Sequence, residues 1–342
     1  MADSVYILVT GGSGYVASFC IAQLLNDGAN VRATIRNLAR ADEVRSTISQ
    51  LAPVERLELV AADLNSDDGW AAACEDCNAV LHVASPLPSN NPKDDDELVR
   101  PAREGALRVL AAARDAEVAR VVMTSSTAAV AYGHGSRSQP WTEADWSDPT
   151  DRSDSSAYER SKMLAERAAW DWHAREGGAL ELVTICPGAV IGPVLGDDFS
   201  ASIDIVKKLI DGSLPGIPRF DWPLVDVRDI ADLHIRALKA PEAKGQRFIG
   251  AGPFYWMADI ATVLRERVPG VAAKVPRRQL PSWLVRLSSV FDPVIRGRLF
   301  ELDKERPVSA EKAMRDLGWK PRSNDEAIIA TAKSLVERGL NN

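Results

Sequence analysis

The feature that most constrains this 342-residue chain is a regular alternation, through its first half, of short apolar runs with helix-patterned stretches. "SVYILVT" leads into "YVASFCIAQLLNDG", "NVRATIR" into a helical pattern over 41–50, "LELVAAD" into "GWAAACED", and "NAVLHVAS" into a helical pattern over 96–115; "RVVMTSS" and "LELVTICPG" follow. The apolar runs are nearly continuous, so both faces of each strand are expected to be buried, as in parallel strands covered by helices on either side. This order predicts an α/β fold with a doubly wound parallel sheet. Gly28, after Asn26 and Asp27, supplies the left-handed stop that ends a helix before the second strand.

Beyond residue 187 the texture changes. Prolines and glycines cluster at 187–196 and 212–223, "PLVDVRDIADLHIRAL" reads as a strand and then a helix, and short helical patterns with Trp256, Trp283 and Trp319 run to the end. We expect a larger domain over 1–187 plus about 224–250, and a smaller lobe over about 188–223 plus 251–342. The polar stretch 134–156 has the composition of a solvated loop, and the acidic run from Asp94 to Glu97 that of a solvated helix start.

Composition narrows the classes of function. With 46% hydrophobic residues the chain can bury a large core, and a formal net charge of -7 argues against a nucleic-acid partner. No apolar run approaches the roughly eighteen residues that span a bilayer, and no leader precedes the first strand, so neither a membrane partner nor secretion is expected and a cytoplasmic location is. The four cysteines, Cys20, Cys74, Cys77 and Cys186, are too few for a disulfide scaffold. Cys74 and Cys77 form a C-x-x-C that closes a helix rather than opening one, and His82, His134, His173 and His234 are too scattered to complete a zinc site. No metal is expected.

In "VTGGSGYVAS" Gly11 and Gly14 stand three apart between the first strand and the first helix, with Ala17 at the next interval. Gly11 permits the tight turn, Gly14 lets backbone N–H groups near a pyrophosphate, and the helix beginning at Tyr15 and Val16 offers its N-terminus to that anion. A dinucleotide is the expected ligand. At the end of the second strand Arg36, followed by Arg40, stands where a carboxylate would select NAD, so the reading is NADPH. Asp63 and Leu64, ending the third strand, are placed to approach the adenine.

In "SSAYERSKMLAERAAW" Tyr158 and Lys162 are four apart on a helix and share a face. A nearby ammonium favours the phenolate and is expected to draw the phenol toward the range of general acid–base catalysis. "VVMTSS" ends a strand in hydroxyls able to hold a carbonyl oxygen.

The motifs "TGGSGYVA", "HVASP", "VVMTSS", "AYERSKMLAE", "ICPGAVIGP" and "LVDVRDIADLHI", in this order, resemble the extended short-chain dehydrogenases/reductases, and most of all the branch with dihydroflavonol reductases, cinnamoyl-CoA reductases and aldehyde or carbonyl reductases. The resemblance runs over roughly residues 4–340. It implies a Rossmann-type sheet of seven strands with a small C-terminal substrate lobe, and a Ser-Tyr-Lys triad of Ser126 (with Ser125 the lesser choice), Tyr158 and Lys162 that reduces a carbonyl with NADPH. It also implies that Ala84 and Ser85 run beside the cofactor, that Pro187 and Val190 line the nicotinamide side, that Lys162 binds the nicotinamide ribose, and that His82 is a packed structural residue.

Three departures bear on specificity. Val44 stands where the family often has a lysine for the 2'-phosphate, leaving Arg40 to serve. "SAYERSK" replaces the "NWYCYGK" of plant cinnamoyl-CoA reductases, and Ala131 occupies the place of the ring-recognising asparagine of dihydroflavonol reductases. Around the carbonyl we expect Pro86, Val130, Tyr132, Val190 and Trp222, with Ser126 and Tyr158 as the convergent polar pair. Such a wall suits hydrophobic, especially aryl, aldehydes or ketones. The alternatives are a nucleotide-sugar epimerase or dehydratase, and a non-catalytic NADP sensor. A monomer or homodimer is expected.

Overall fold

The computed structural model describes residues 6–86, 94–196 and 199–341. Its strands are β1 (Tyr6–Val9), β2 (Asn30–Ile35), β3 (Leu57–Ala61), β4 (Cys77–His82), β5 (Arg120–Thr124), β6 (Glu181–Pro187), β7 (Ala189–Ile191), β8 (Asp221–Asp226), β9 (Arg247–Gly250) and β10 (Phe254–Trp256). Seven of them form one sheet in the order β3-β2-β1-β4-β5-β6-β9. Every pairing in it is parallel, as the continuous apolar runs require.

Helices cover both faces. Tyr15–Asn26, Ala41–Ser49 and Val227–Lys239 contribute to the apolar cluster on one side, and Trp70–Cys74, Asp96–Asp115 and Ala157–Glu176 to the cluster on the other. Strand order reverses between β1 and β4, so the crevice at their carboxyl ends is where a ligand fits such a sheet. A second sheet, β10-β8-β7, lies beyond the first, with β8 parallel to β7 and antiparallel to β10.

Two expectations about polar segments require correction. The stretch 134–156 has no helix or strand, as expected of a loop, yet it is not simply solvated. Asp154, 1% exposed, accepts from the backbone N–H groups of Gly133, His134 and Gly135 at 2.9, 3.2 and 3.0 Å and pairs with Arg306 and Lys304. The two cations stand 150 and 152 positions further along the chain, so local composition could not disclose them. Similarly, Asp95 in the acidic run holds Arg160 through two bonds of 2.8 and 2.9 Å, tying the helix after β4 to the helix carrying Tyr158.

Cys74 ends its short helix and Cys77 begins β4, as read from the sequence. All four cysteines are free and buried, and burial pushes the thiols of Cys74 and Cys77 up to about 12 and about 11. They are therefore poor nucleophiles at neutral pH. Among the described residues no cluster of three potential metal ligands occurs.

Candidate active site

The glycine turn occupies the β1/β4 crevice. Gly11 has φ +72°, and a Cβ there would lie 3.0 Å from the Cβ of Ala84, so the turn and the end of β4 are in contact. Gly12, which the motif reading passed over, is equally constrained: its Cβ would lie 2.9 Å from that of Ala33 on β2. Thr10 joins the two strand ends. Its hydroxyl contacts His82 Nδ1 at 2.9 Å and accepts from the N–H of Ala84 at 3.0 Å. Burial, with the Lys162 charge, lowers His82 to about 3, so this histidine is a neutral packing residue, as expected.

Gly12, Ser13, Tyr15, Arg40 and Val44 line one narrow cavity, closed on the far side by Leu195 and Gly196. The Tyr15 hydroxyl is buried beside this turn without a hydrogen-bond partner among the described residues. Glycines that keep the backbone bare, together with a buried hydroxyl awaiting a partner, suit a dinucleotide phosphate at the N-terminus of Tyr15–Asn26. Val16 is half-buried in the next position. Arg36 is exposed at the end of β2, while Arg40 is clamped onto Glu43 by bonds of 2.9 and 2.7 Å. Asp63 uses Oδ1 to accept from Asn65, and Leu64 packs over Gly105. Ala84, Ser85 and Pro86 are half-buried at the crevice; the residues just beyond, 87–93, lie outside the described set.

Tyr158 and Lys162 stand in the first two turns of Ala157–Glu176. Ser156 starts this helix as half of a capping box: its Oγ accepts from the Tyr158 N–H, and Glu159 Oε2 accepts from the Ser156 N–H at 2.9 Å. Lys162, 9% exposed, places Nζ 5.7 Å from the centre of the Tyr158 ring. The Ser126 hydroxyl lies near enough to the Tyr158 phenol to lower its pKa, and it accepts from the Ala128 N–H at 3.1 Å. Ser125 faces elsewhere and donates to Glu166 at 2.6 Å. Glu166, fully buried, is also held by Thr184 and Arg247.

The electrostatics differ from the sequence expectation. Burial pushes the Tyr158 phenol up to about 12, against the lowering effects of Arg298 and of the Ser126 hydroxyl. Burial also brings Lys162 down to about 8. Desolvation opposes the charged form of each group and outweighs the pull expected from the lysine. The phenol is thus protonated at pH 7.

Of the residues expected around the carbonyl, Val130 is fully buried in the core and Val190 nearly so, while Trp222 is half-buried beside Phe220. Pro187 closes β6. Tyr132 is more than an apolar wall: its hydroxyl donates to Glu301 at 2.9 Å, its ring lies under the Arg306 guanidinium, and Phe300 meets it edge-on at 6.3 Å. Glu301, Arg306 and Arg298 escaped the sequence reading because their spacing forms no motif; only the fold brings 298–306 against residues 131–158.

This arrangement has known counterparts. Residues 7–250 match the NAD dependent epimerase/dehydratase family. The chain belongs to that family. Its relatives include cinnamoyl-CoA reductase 1 of Arabidopsis thaliana, 33% identical over 97% of this chain and 90% of the relative. Dihydroflavonol 4-reductase of Zea mays is 31% identical over 83% of this chain and 80% of its own length. Among solved structures, yeast methylglyoxal/isovaleraldehyde reductase Gre2, complexed with NADPH, superposes with a TM-score of 0.83 at 25% identity, covering 99% of this chain and all of the other. The epimerase/dehydratase family membership and the reductase kinship agree with the motif order read from the sequence.

Proposed function

We propose that this protein is an NADPH-dependent reductase of hydrophobic aldehydes or ketones, aryl ones included, with Tyr158 as the general acid. The observation that carries the reading is the convergence of Ser126, Tyr158 and Lys162 beside the glycine turn. NADPH, when bound, supplies the hydride. Gly11, Gly12 and the N-terminus of Tyr15–Asn26 receive its pyrophosphate, with Tyr15, Val16, Ala84 and Ser85 alongside; Asp63 and Leu64 sit toward the adenine, Arg36 and Arg40 toward the 2'-phosphate, and Pro187 and Val190 toward the nicotinamide.

Ser126 holds the substrate oxygen, and Tyr158, protonated at neutral pH, donates its proton to that oxygen as negative charge develops there. Lys162 stabilises the phenolate so formed and orients the cofactor's ribose. Pro86, Tyr132 and Trp222 supply the apolar wall, and burying extra sugar hydroxyls against it without partners would cost about 1–3 kcal/mol each.

The test is a panel of carbonyl compounds assayed by NADPH oxidation, and of nucleotide-sugars assayed by chromatography of the products, since an epimerase or dehydratase returns the hydride and consumes no net NADPH. Aryl and long aliphatic aldehydes should be turned over and nucleotide-sugars should not. Turnover of a nucleotide-sugar alone would move the protein to the epimerase class.

A further inference from the structure

Two short helices of the C-terminal lobe, Ser282–Ser288 and Pro293–Arg296, keep Val285 and Ser289 inside and turn large apolar side chains to water. Trp283 is 66% exposed, Leu287 53%, Val290 60%, Phe291 84% and Val294 63%, the first two one helical turn apart, the next two adjacent in the turn between the helices and the last on the second helix. Leu284 adjoins them. Elsewhere among the described residues the exposed large apolar side chains are single ones, Leu38, Met314 and Val336. A clustered patch of this kind marks a contact surface, whereas isolated residues do not.

The charge around the patch identifies what it contacts. Between residues 276 and 298 stand the arginines 277, 278, 286, 296 and 298 and a single carboxylate, Asp292, in a chain whose net charge is -7. Asp292 is turned inward as a helix cap, accepting from the N–H groups of Val294 and Ile295 at 2.8 and 3.3 Å. Arg296 donates to the carbonyls of Ser289 and Val290, and Arg286 approaches Asp303 only to 3.8 Å. The patch is therefore apolar at its centre and cationic at its rim. A second copy docked face to face would oppose arginine to arginine. An anionic lipid surface satisfies both parts, with headgroups for the arginines and the acyl boundary for Trp283 and Phe291.

We propose that the 277–298 face docks this protein peripherally on anionic phospholipid. No helix among the described residues is long and apolar enough to cross a membrane, and adsorption requires none. The sequence expectation of no membrane partner is thereby narrowed to spanning segments. The face runs on into Phe300 and Glu301, which touch Tyr132, so docking brings the substrate side of the site toward the lipid phase, where hydrophobic carbonyls concentrate. That consequence rests on the proposed reductase activity; the docking itself does not.

The experiment is flotation of the full-length protein with vesicles, in the absence of cofactor and substrate. Vesicles of equimolar phosphatidylcholine and phosphatidylglycerol should carry the protein at least about tenfold more strongly than phosphatidylcholine alone, and high salt should weaken the association. The double substitution Trp283→Ser and Phe291→Ser should lower partition by about tenfold or more, with the thermal midpoint and the reduction of a water-soluble aldehyde unchanged. Equal flotation with both vesicle types, or wild-type flotation by the double variant, overturns the proposal. So does light scattering that shows the double substitution splitting a dimer while the wild type ignores vesicles. Because flotation is read without turnover, a failed carbonyl assay strikes the reductase reading and not this one.

Discussion

Ser125 donates its hydroxyl to Glu166 at 2.6 Å, and this bond separates the roles of two adjacent serines. Ser126 remains to meet the Tyr158 phenol. Ser126→Ala should therefore lower kcat by about a hundredfold, as for loss of one oxyanion donor, with cofactor affinity retained. Ser125→Ala should leave kcat near wild type and destabilise the fold by about 1–3 kcal/mol, because buried Glu166 loses a charge-assisted bond. Steady-state kinetics and urea unfolding of both variants give the answer, and a reversed pattern would exchange the two assignments.

Tyr158→Phe should reduce turnover by about a hundredfold or more with little effect on cofactor binding, whereas Lys162→Ala should weaken both. With Lys162 titrating near 8, the ammonium is lost as pH rises through that value, and the rate of reduction should fall along the same limb. A Lys162→Arg variant keeps its charge to much higher pH and should shift or erase the limb, whatever its absolute rate. A pH profile of kcat for both proteins tests this; a wild-type profile flat to pH 9.5 or so would remove Lys162 from that role.

Cofactor preference rests on two arginines in different states. Arg36 is exposed, and Arg36→Glu should weaken NADPH far more than NADH. Arg40 is bonded to Glu43, and Arg40→Ala should weaken NADPH by roughly tenfold with NADH little affected. Fluorescence titration with both cofactors decides the matter. A wild-type protein that strongly prefers NADH would refute the reading of this strand end.

Burial raises Glu301 to about 7 from its ordinary 4.5, overcoming the attraction of Arg306, and raises Asp221 to about 6. A carboxyl raised in the folded state binds more protons there than in the unfolded chain. Its stabilising contribution is therefore complete below pH 4.5 and is lost as pH rises through about 7. Asp154 runs the other way: Arg306 and Lys304 hold it well below the usual carboxylate range, and its contribution disappears only in strong acid. Glu301→Gln, which keeps an acceptor for Tyr132, should flatten the decline in thermal midpoint between those two pH values. An unchanged decline would show that Glu301 is already ionised in the folded protein.

What the sequence disclosed and what it concealed divide along a physical line. The alternation of strands and helices was legible because each strand carries its own apolar run and each helix its own period, as in "LELVTICPG" and the helix Asp96–Asp115. The glycine turn and the Tyr158/Lys162 pair were legible because their geometry is local, a matter of three or four residues. The Tyr132–Glu301 bond was not, since 169 positions separate its ends, nor was the double engagement of Asp154. The rise of Tyr158 to about 12 was hidden for the same reason: desolvation is a property of the assembled interior, and a helix face read in isolation does not contain it.

Asp154 ties three consecutive amides of one segment to two cations 150 and 152 positions away. Opening the segment at Gly133–Gly135 thus takes three donors from Asp154, and undocking Lys304 and Arg306 together leaves that buried carboxylate with only amides to face. Neither part can exchange with solvent alone at low cost. The amides of Gly133, His134 and Gly135 should share one hydrogen-exchange opening energy with those of 301–306, so that two regions distant in the chain unfold as a single foldon.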